Sequence, residues 1–127
     1  MTIRIKRIYN DDPKPNGSFR ILVDRIWPRG LSKEKAKVDL WQKDIAPSNP
    51  LRKWFAHDEK KWDGFKSRYF MELDEKRQII DIILNKARQS PITLLYGAKN
   101  EKFNKAVALK EYLEDKIKIL PWFDEKE

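Results

Sequence analysis

An apolar run that stops abruptly at a charged turn constrains this chain more than any other stretch. Residues 20–30 read Arg-Ile-Leu-Val-Asp-Arg-Ile-Trp-Pro-Arg-Gly. Residues 20–23 spell a short buried strand. From Asp24 onward a carboxylate, two arginines, a tryptophan, a proline and a glycine fall within seven residues. Pro28 fixes its own φ and drives Trp27 toward extended backbone, while Gly30 can adopt a left-handed angle closed to most residues. A stiff turn at the carboxyl end of a strand is where open α/β sheets place their ligands. The polar groups of this turn are therefore the first candidates for function.

The remaining pattern supplies a sheet for that strand to join. Residues 2–9 alternate, with Ile3, Ile5 and Ile8 set among Arg4, Lys6 and Arg7, which predicts a first strand with one wet face. It fits an added edge equally well, and the alternation does not fix its direction. Residues 10–17 carry two prolines, two aspartates, two asparagines and a glycine, a loop by every local signal. Residues 19–23 form the second strand and residues 92–96, Ile-Thr-Leu-Leu-Tyr, the third. Ser32 can cap a short helix through residue 36, and Ser48 another that begins at Asn49-Pro50. Trp62, Phe65, Tyr69 and Leu73 mark a helix over residues 59–75. Ile79, Ile80, Ile83, Leu84 and Ala87 mark a second over residues 76–88, either separate from the first or its bent continuation. The last helix is expected over residues 102–118. Strands separated by helices predict a single α/β domain of three layers, with a small, mainly parallel sheet flanked by helices. Residues 120–127, which include Trp122 and Phe123, are expected to dock back on the domain or to drive weak self-association.

The 127 residues suffice for one core. Twenty-eight Lys and Arg against twenty Asp and Glu give a formal charge of +8, which favours anionic partners without naming one. The absence of cysteine excludes disulfides, thiolate catalysis and cysteine-ligated metal clusters. A single histidine argues against a dedicated transition-metal site, and the cofactor, if any, is unknown. No apolar run approaches a membrane span and no signal peptide opens the chain, so a cytoplasmic protein is expected. Dinucleotide, P-loop and nucleophile-elbow signatures are all missing.

If the second and third strands are parallel neighbours, their exits meet. Asp24, Arg25 and Arg29 would then face Tyr96, Gly97 and Lys99, with the last helix starting just beyond. Two guanidinium forks, an ammonium and a helix amino end can hold a phosphate or carboxylate. Asp24 would orient an arginine or hold a donor; the bland alternative is that it pairs with Arg25 or Arg29 merely to lock the turn. His57 is the one side chain with an ordinary pKa near neutrality, hence the obvious proton carrier. Its neighbour Asp58 could orient the ring or cap the following helix. Tyr69 and Tyr96 are secondary donors. Of five tryptophans, Trp27 and Trp41 flank the basic turn and are expected to line a pocket or stack on a ring. Stacking beside arginine also suits single-stranded nucleic acid, but the cations are spread and mixed with carboxylates, so that partner is not favoured.

Residues 23–32, Val-Asp-Arg-Ile-Trp-Pro-Arg-Gly-Leu-Ser, followed by Asp39-Leu40-Trp41 and Ala46-Pro47-Ser48, carry a resemblance. It continues through residues 51–58, Leu-Arg-Lys-Trp-Phe-Ala-His-Asp, then Trp62, Phe65 and Tyr69, and ends in residues 93–99, Thr-Leu-Leu-Tyr-Gly-Ala-Lys. Over residues 2–115 the chain resembles the DUF488 family, in its short YeaO-like branch of uncharacterised bacterial and archaeal proteins. The resemblance implies an α/β fold, shared loops and a site at the carboxyl edge of the sheet. It falls on Asp24, Arg25, Trp27, Arg29, Trp41, Trp54, His57, Asp58, Tyr69, Tyr96, Lys99 and Asn104, and implies no established activity. Many relatives resemble Glu-His-Asn-His-Ala where this chain has Lys102-Phe103-Asn104-Lys105-Ala106. Both histidines are replaced here, which disfavours any mechanism or metal site that needs them. The expected function is binding of a small anionic ligand, with hydrolysis or group transfer as the only defensible reaction class. A nucleic-acid-binding or regulatory module and a protein-interaction domain are the alternatives.

Overall fold

The structure is a computed structural model and describes residues 1–10 and 18–119. In chain order the strands and helices are β1 (Ile3–Arg7), β2 (Phe19–Leu22), α1 (Lys33–Ala36), β3 (Leu40–Trp41), α2 (Asn49–Phe55), α3 (Trp62–Asp74), α4 (Arg77–Gln89), β4 (Ile92–Tyr96) and α5 (Lys105–Ile119). Short 3-10 turns at Lys43–Ile45 and Glu59–Lys61 precede α2 and α3. The loop over residues 11–17 and the tail over residues 120–127, for which docking or self-association was expected, lie outside the described residues.

The four strands form one parallel sheet in the order β1-β4-β2-β3. The last strand in the sequence is thus central, with Ile92 opposite both Ile3 and Phe19. All five β4 residues are buried. That explains its unbroken apolar text, since a parallel strand covered on both faces has no wet side to mark. β1 is an edge strand parallel to β4, with Ile3 and Ile5 turned inward and Arg4 and Lys6 exposed. β3 was not anticipated, because a two-residue strand is too short to carry any period.

Alternation along the strands divides the core into two unequal parts. Ile21, Val23, Ile92, Leu94 and Tyr96 meet helices α2 to α5 on one face. Leu22 and Leu95 point the other way, where, among the described residues, Ala36 of α1, Ile8 and a fringe that includes Trp27 and Trp41 cover them.

Local chemistry sets the helix ends. The Ser32 hydroxyl accepts from Lys35 N, and Ser48 Oγ accepts from Leu51 N at 3.2 Å, as expected of both caps. The two central helices are separate, broken at Glu75 and Lys76. α5 begins three residues later than the pattern suggested. Asn100 Oδ1 takes the amides of Lys102 and Phe103, and Asn104 Oδ1 takes those of Ala106 and Val107. Asn100 thereby holds a turn, and the helix starts at the second asparagine.

Candidate functional site

In a parallel sheet all strands exit on the same edge, so the segments after β2 and β4 converge. Asp24 joins them. Its Oδ2 accepts the Gly97 amide at 2.8 Å, and its Oδ1 pairs with Lys105 Nζ at 2.8 Å. Its backbone carbonyl accepts Trp41 Nε1 at 2.7 Å, which ties in the β3 exit as well. A Cβ on Gly97 would lie 2.8 Å from Asp24 Oδ2, so the close approach of the two exits depends on glycine there. Asp24 is therefore a fastener, and its partner is Lys105 rather than Arg25 or Arg29.

Beside this fastener a cleft of about 280 Å³ opens between the sheet edge and the helical face. Arg25, Arg52 and Lys105 bring three cations to its lining against the one carboxylate of Asp24. His57 and Asn104 add polar edges, and Phe55, Phe65 and Phe103 supply aromatic surface. Arg25 Nη2 donates to Pro47 O at 2.9 Å. Arg52 is exposed, and its guanidinium makes no hydrogen bond or ion pair with a described residue.

One wall is a strap over residues 44–48, and every carbonyl from Asp44 to Pro47 is held by a side chain. Lys76 Nζ donates to Asp44 O at 2.6 Å and Ala46 O at 3.1 Å. Tyr69 OH donates to Ile45 O at 2.7 Å, and Arg25 takes Pro47 O. Glu72 receives both the amide and the hydroxyl of Ser48. Burial and the nearby Arg25 push the Lys76 pKa down, with Glu72 opposing them. Removing the Tyr69 hydroxyl leaves the Ile45 carbonyl unpaired in the core. Tyr69→Phe should therefore lower unfolding stability by about 1–2 kcal/mol in urea denaturation, with no change in secondary structure by circular dichroism.

Of the side chains singled out from sequence, Asp24, Arg25, His57 and Asn104 meet at the cleft. The others are placed elsewhere. Trp41 pairs in register with Leu22 and so points to the second core; Trp27 packs edge-on to it at 5.5 Å and donates to Leu31 O. Strand parity puts the Trp41 indole behind the sheet, and the turn after β2 carries Trp27 to it, although sequence sets Trp27 three residues from Asp24. Arg29 is exposed beyond the buried Pro28, and its carbonyl accepts the Tyr9 hydroxyl. Lys99 is exposed and outside the lining. Tyr69 is fully buried, and burial raises its pKa far above the usual phenol value. It serves the strap and is out of reach of a substrate in the cleft. Tyr96 is buried and hydrogen-bonded to Asn104, its pKa raised by burial and by Glu101. Asp58 caps the turn at Glu59–Lys61 through Lys60 N, and no carboxylate among the described residues orients His57. His57 itself sits at φ +59, directly after Ala56 at φ +45.

Arg52, Lys105 and the three phenylalanines were not singled out as site residues. Arg52 lies five residues before His57, within the segment that carries the family resemblance, and Phe103 and Lys105 are the two substituted histidine positions. That departure from the family pattern was the available signal.

A family model described as "Inactive DUF488-N3 subclade" matches residues 2–121. The chain belongs to that subclade of DUF488. An "Uncharacterized protein YeaO" of Escherichia coli K12 is 40% identical over 113 residues, covering 89% of this chain and 97% of the relative. An uncharacterised protein of Mycobacterium tuberculosis H37Rv is 38% identical over 93 residues, 72% of this chain and 78% of the relative. No solved structure matches the chain. Among the described residues no cluster of three or more His, Asp or Glu could hold a metal ion. No described helix is long and apolar enough to cross a membrane.

Proposed function

We propose that this DUF488 protein binds a small anionic ligand in the cleft at the carboxyl edge of its sheet, and does so without turnover. The observation that carries the reading is Arg52, unpartnered among described residues, beside Arg25 in a lining where Asp24 is already bound to Lys105 and the Gly97 amide. With that carboxylate engaged, a phosphate or carboxylate would meet positive potential and unused guanidinium donors.

The absence of turnover draws on several features. Asp58 and Tyr69, the partners expected for His57, are occupied in a helical cap and in the strap. The two positions at which many relatives resemble histidine are Phe103 and Lys105. The description of the subclade as inactive agrees with a binding role.

A thermal-shift panel of nucleotides, sugar phosphates, organic acids and oligonucleotides tests the proposal on wild type, Arg52→Ala and Arg29→Ala. A ligand that binds only the native state at 100 times its Kd stabilises it by about 2.7 kcal/mol. One class of small anion should stabilise wild type and Arg29→Ala alike. Arg52→Ala should bind it about tenfold more weakly, since a charged hydrogen bond contributes roughly 1.5–3 kcal/mol. Equal losses in the two variants would place the anion elsewhere. Stabilisation by oligonucleotides alone, decaying steeply with added salt, would favour the nucleic-acid reading instead.

A further inference from the structure

Resting on the anion-binding reading, we propose that the ligand of this cleft is an anion carried on a single flat ring, an aryl phosphate or an aryl carboxylate. The cations account for only part of the lining. The half-buried Phe103 and the exposed Ile26 face the same space above the buried Phe55 and Phe65, joined by Pro47 and Ala98. A bare anion leaves that surface wet, and a sugar phosphate sets hydroxyls against phenyl rings that cannot satisfy them. A flat ring bearing one anionic group matches both chemistries.

The aromatic surface is preformed. Phe55 and Phe65 lie 4.4 Å apart between centroids, Phe65 stacks on Trp62 at 5.6 Å, and Phe103 stands edge-on to Trp62 at 5.4 Å. Rings fixed by neighbouring rings lose little freedom when a further ring joins them. Size agrees as well. The cleft, of about 280 Å³, has room for one ring with its anionic head. Ile26 gives an independent sign. It belongs to the lining yet is 70% exposed, a large apolar side chain left in water beside Arg25. A ring seated in the cleft would give that side chain a partner.

Isothermal titration with phenyl phosphate, benzoate, glycerol phosphate, inorganic phosphate and phenol tests this on wild type, Arg52→Ala, Phe103→Ala and Ile26→Ser. At least one of the two aryl anions should bind tenfold or more tighter than glycerol phosphate and inorganic phosphate. Phe103→Ala should remove most of that advantage, and Arg52→Ala should weaken the aryl and non-aryl anions together. Ile26→Ser, changed at an exposed position, should reduce aryl binding several-fold even if Phe103→Ala fails to fold. Glycerol phosphate or inorganic phosphate binding as tightly as the tighter of the two aryl anions, still sensitive to Arg52→Ala, overturns the ring and leaves the anion site standing. Phenol binding as tightly as the tighter aryl anion, or no binding by any probe, overturns both.

Discussion

Replacing Asp24 with alanine should destabilise the fold by about 3 kcal/mol, the low end of the range for breaking a buried ion pair from one side. The side chains of Asp24 and Lys105 are 14% and 21% exposed, so solvent screens the pair only in part. The substitution removes two acceptors at once. The Gly97 amide loses its partner, and the Lys105 ammonium remains beside a cleft lined by phenyl rings. The exits of β2 and β4 and the start of α5 meet at this carboxylate, so the loss acts on their junction. For a domain of this size the melting temperature should fall by on the order of 10 °C. Asp24→Asn keeps an acceptor for Gly97 and should lose less. Lys105→Met in the Asp24→Ala background should restore part of the stability, because the stranded charge is then gone. Urea denaturation of the two single variants and the double variant measures the coupling. A loss below about 1 kcal/mol in Asp24→Ala would reduce the pair to the level of a surface salt bridge.

A second large effect is expected in alkali. Tyr69, Tyr96 and Tyr112 all have pKa values raised, chiefly by burial. Tyr112 in addition donates to Asp74 at 2.6 Å, so its ionised form would face a carboxylate without a proton between them. The unfolded chain releases these protons near pH 10, whereas the folded chain retains them. Above about pH 10 the unfolded state thus binds fewer protons, and stability must fall as pH rises. Below pH 10 the contribution of these phenols is complete and flat. Each retained proton steepens the decline by roughly 1.4 kcal/mol per pH unit, and the three together by on the order of 4. Lys76 acts with the opposite sign. Its lowered pKa adds stability as pH climbs toward the ordinary lysine value, a gain that overlaps the onset of the tyrosine loss. Urea midpoints measured between pH 8 and pH 11.5, with phenolate absorbance followed in parallel, give the slope. Unfolding and ionisation of the buried phenols should coincide, and Tyr69→Phe should flatten the decline. Phenolate absorbance from two or more of the four tyrosines in a still-folded protein would contradict the burial on which this rests.

Both effects arise from groups whose partners are remote in the chain. Asp24 and Lys105 are 81 residues apart, and Tyr69 and Ile45 are 24 apart. No local pattern announces such pairs. Caps are different: Ser32, Ser48, Asp58 and Asn104 each satisfy amides two or three residues ahead, so a sequence shows the whole interaction. Asp58 and Asn104 nevertheless entered the reading as site candidates. A capping side chain and a catalytic one use the same atoms, and only the observed partner separates them.

The sequence by itself determined the elements whose physics is local. Alternation named β1 and its wet face, unbroken apolar text named β4, and helical spacing named α3 and α4 but not whether they were two helices or one bent one. Their order pointed to an α/β domain with its business end at the strand exits, and the family motifs agreed. Only the tertiary structure decided which residues share the cleft. Strand parity sent Trp41 behind the sheet and packing drew Trp27 to it, and insertion of the last strand between the first two brought α5 and Lys105 to Asp24. The convergence of α2, α3 and the α5 entry set Arg52 among three phenylalanines. The reason is that a cleft is a property of surfaces brought together by packing, whereas a strand, a helix or a cap is a property of near neighbours.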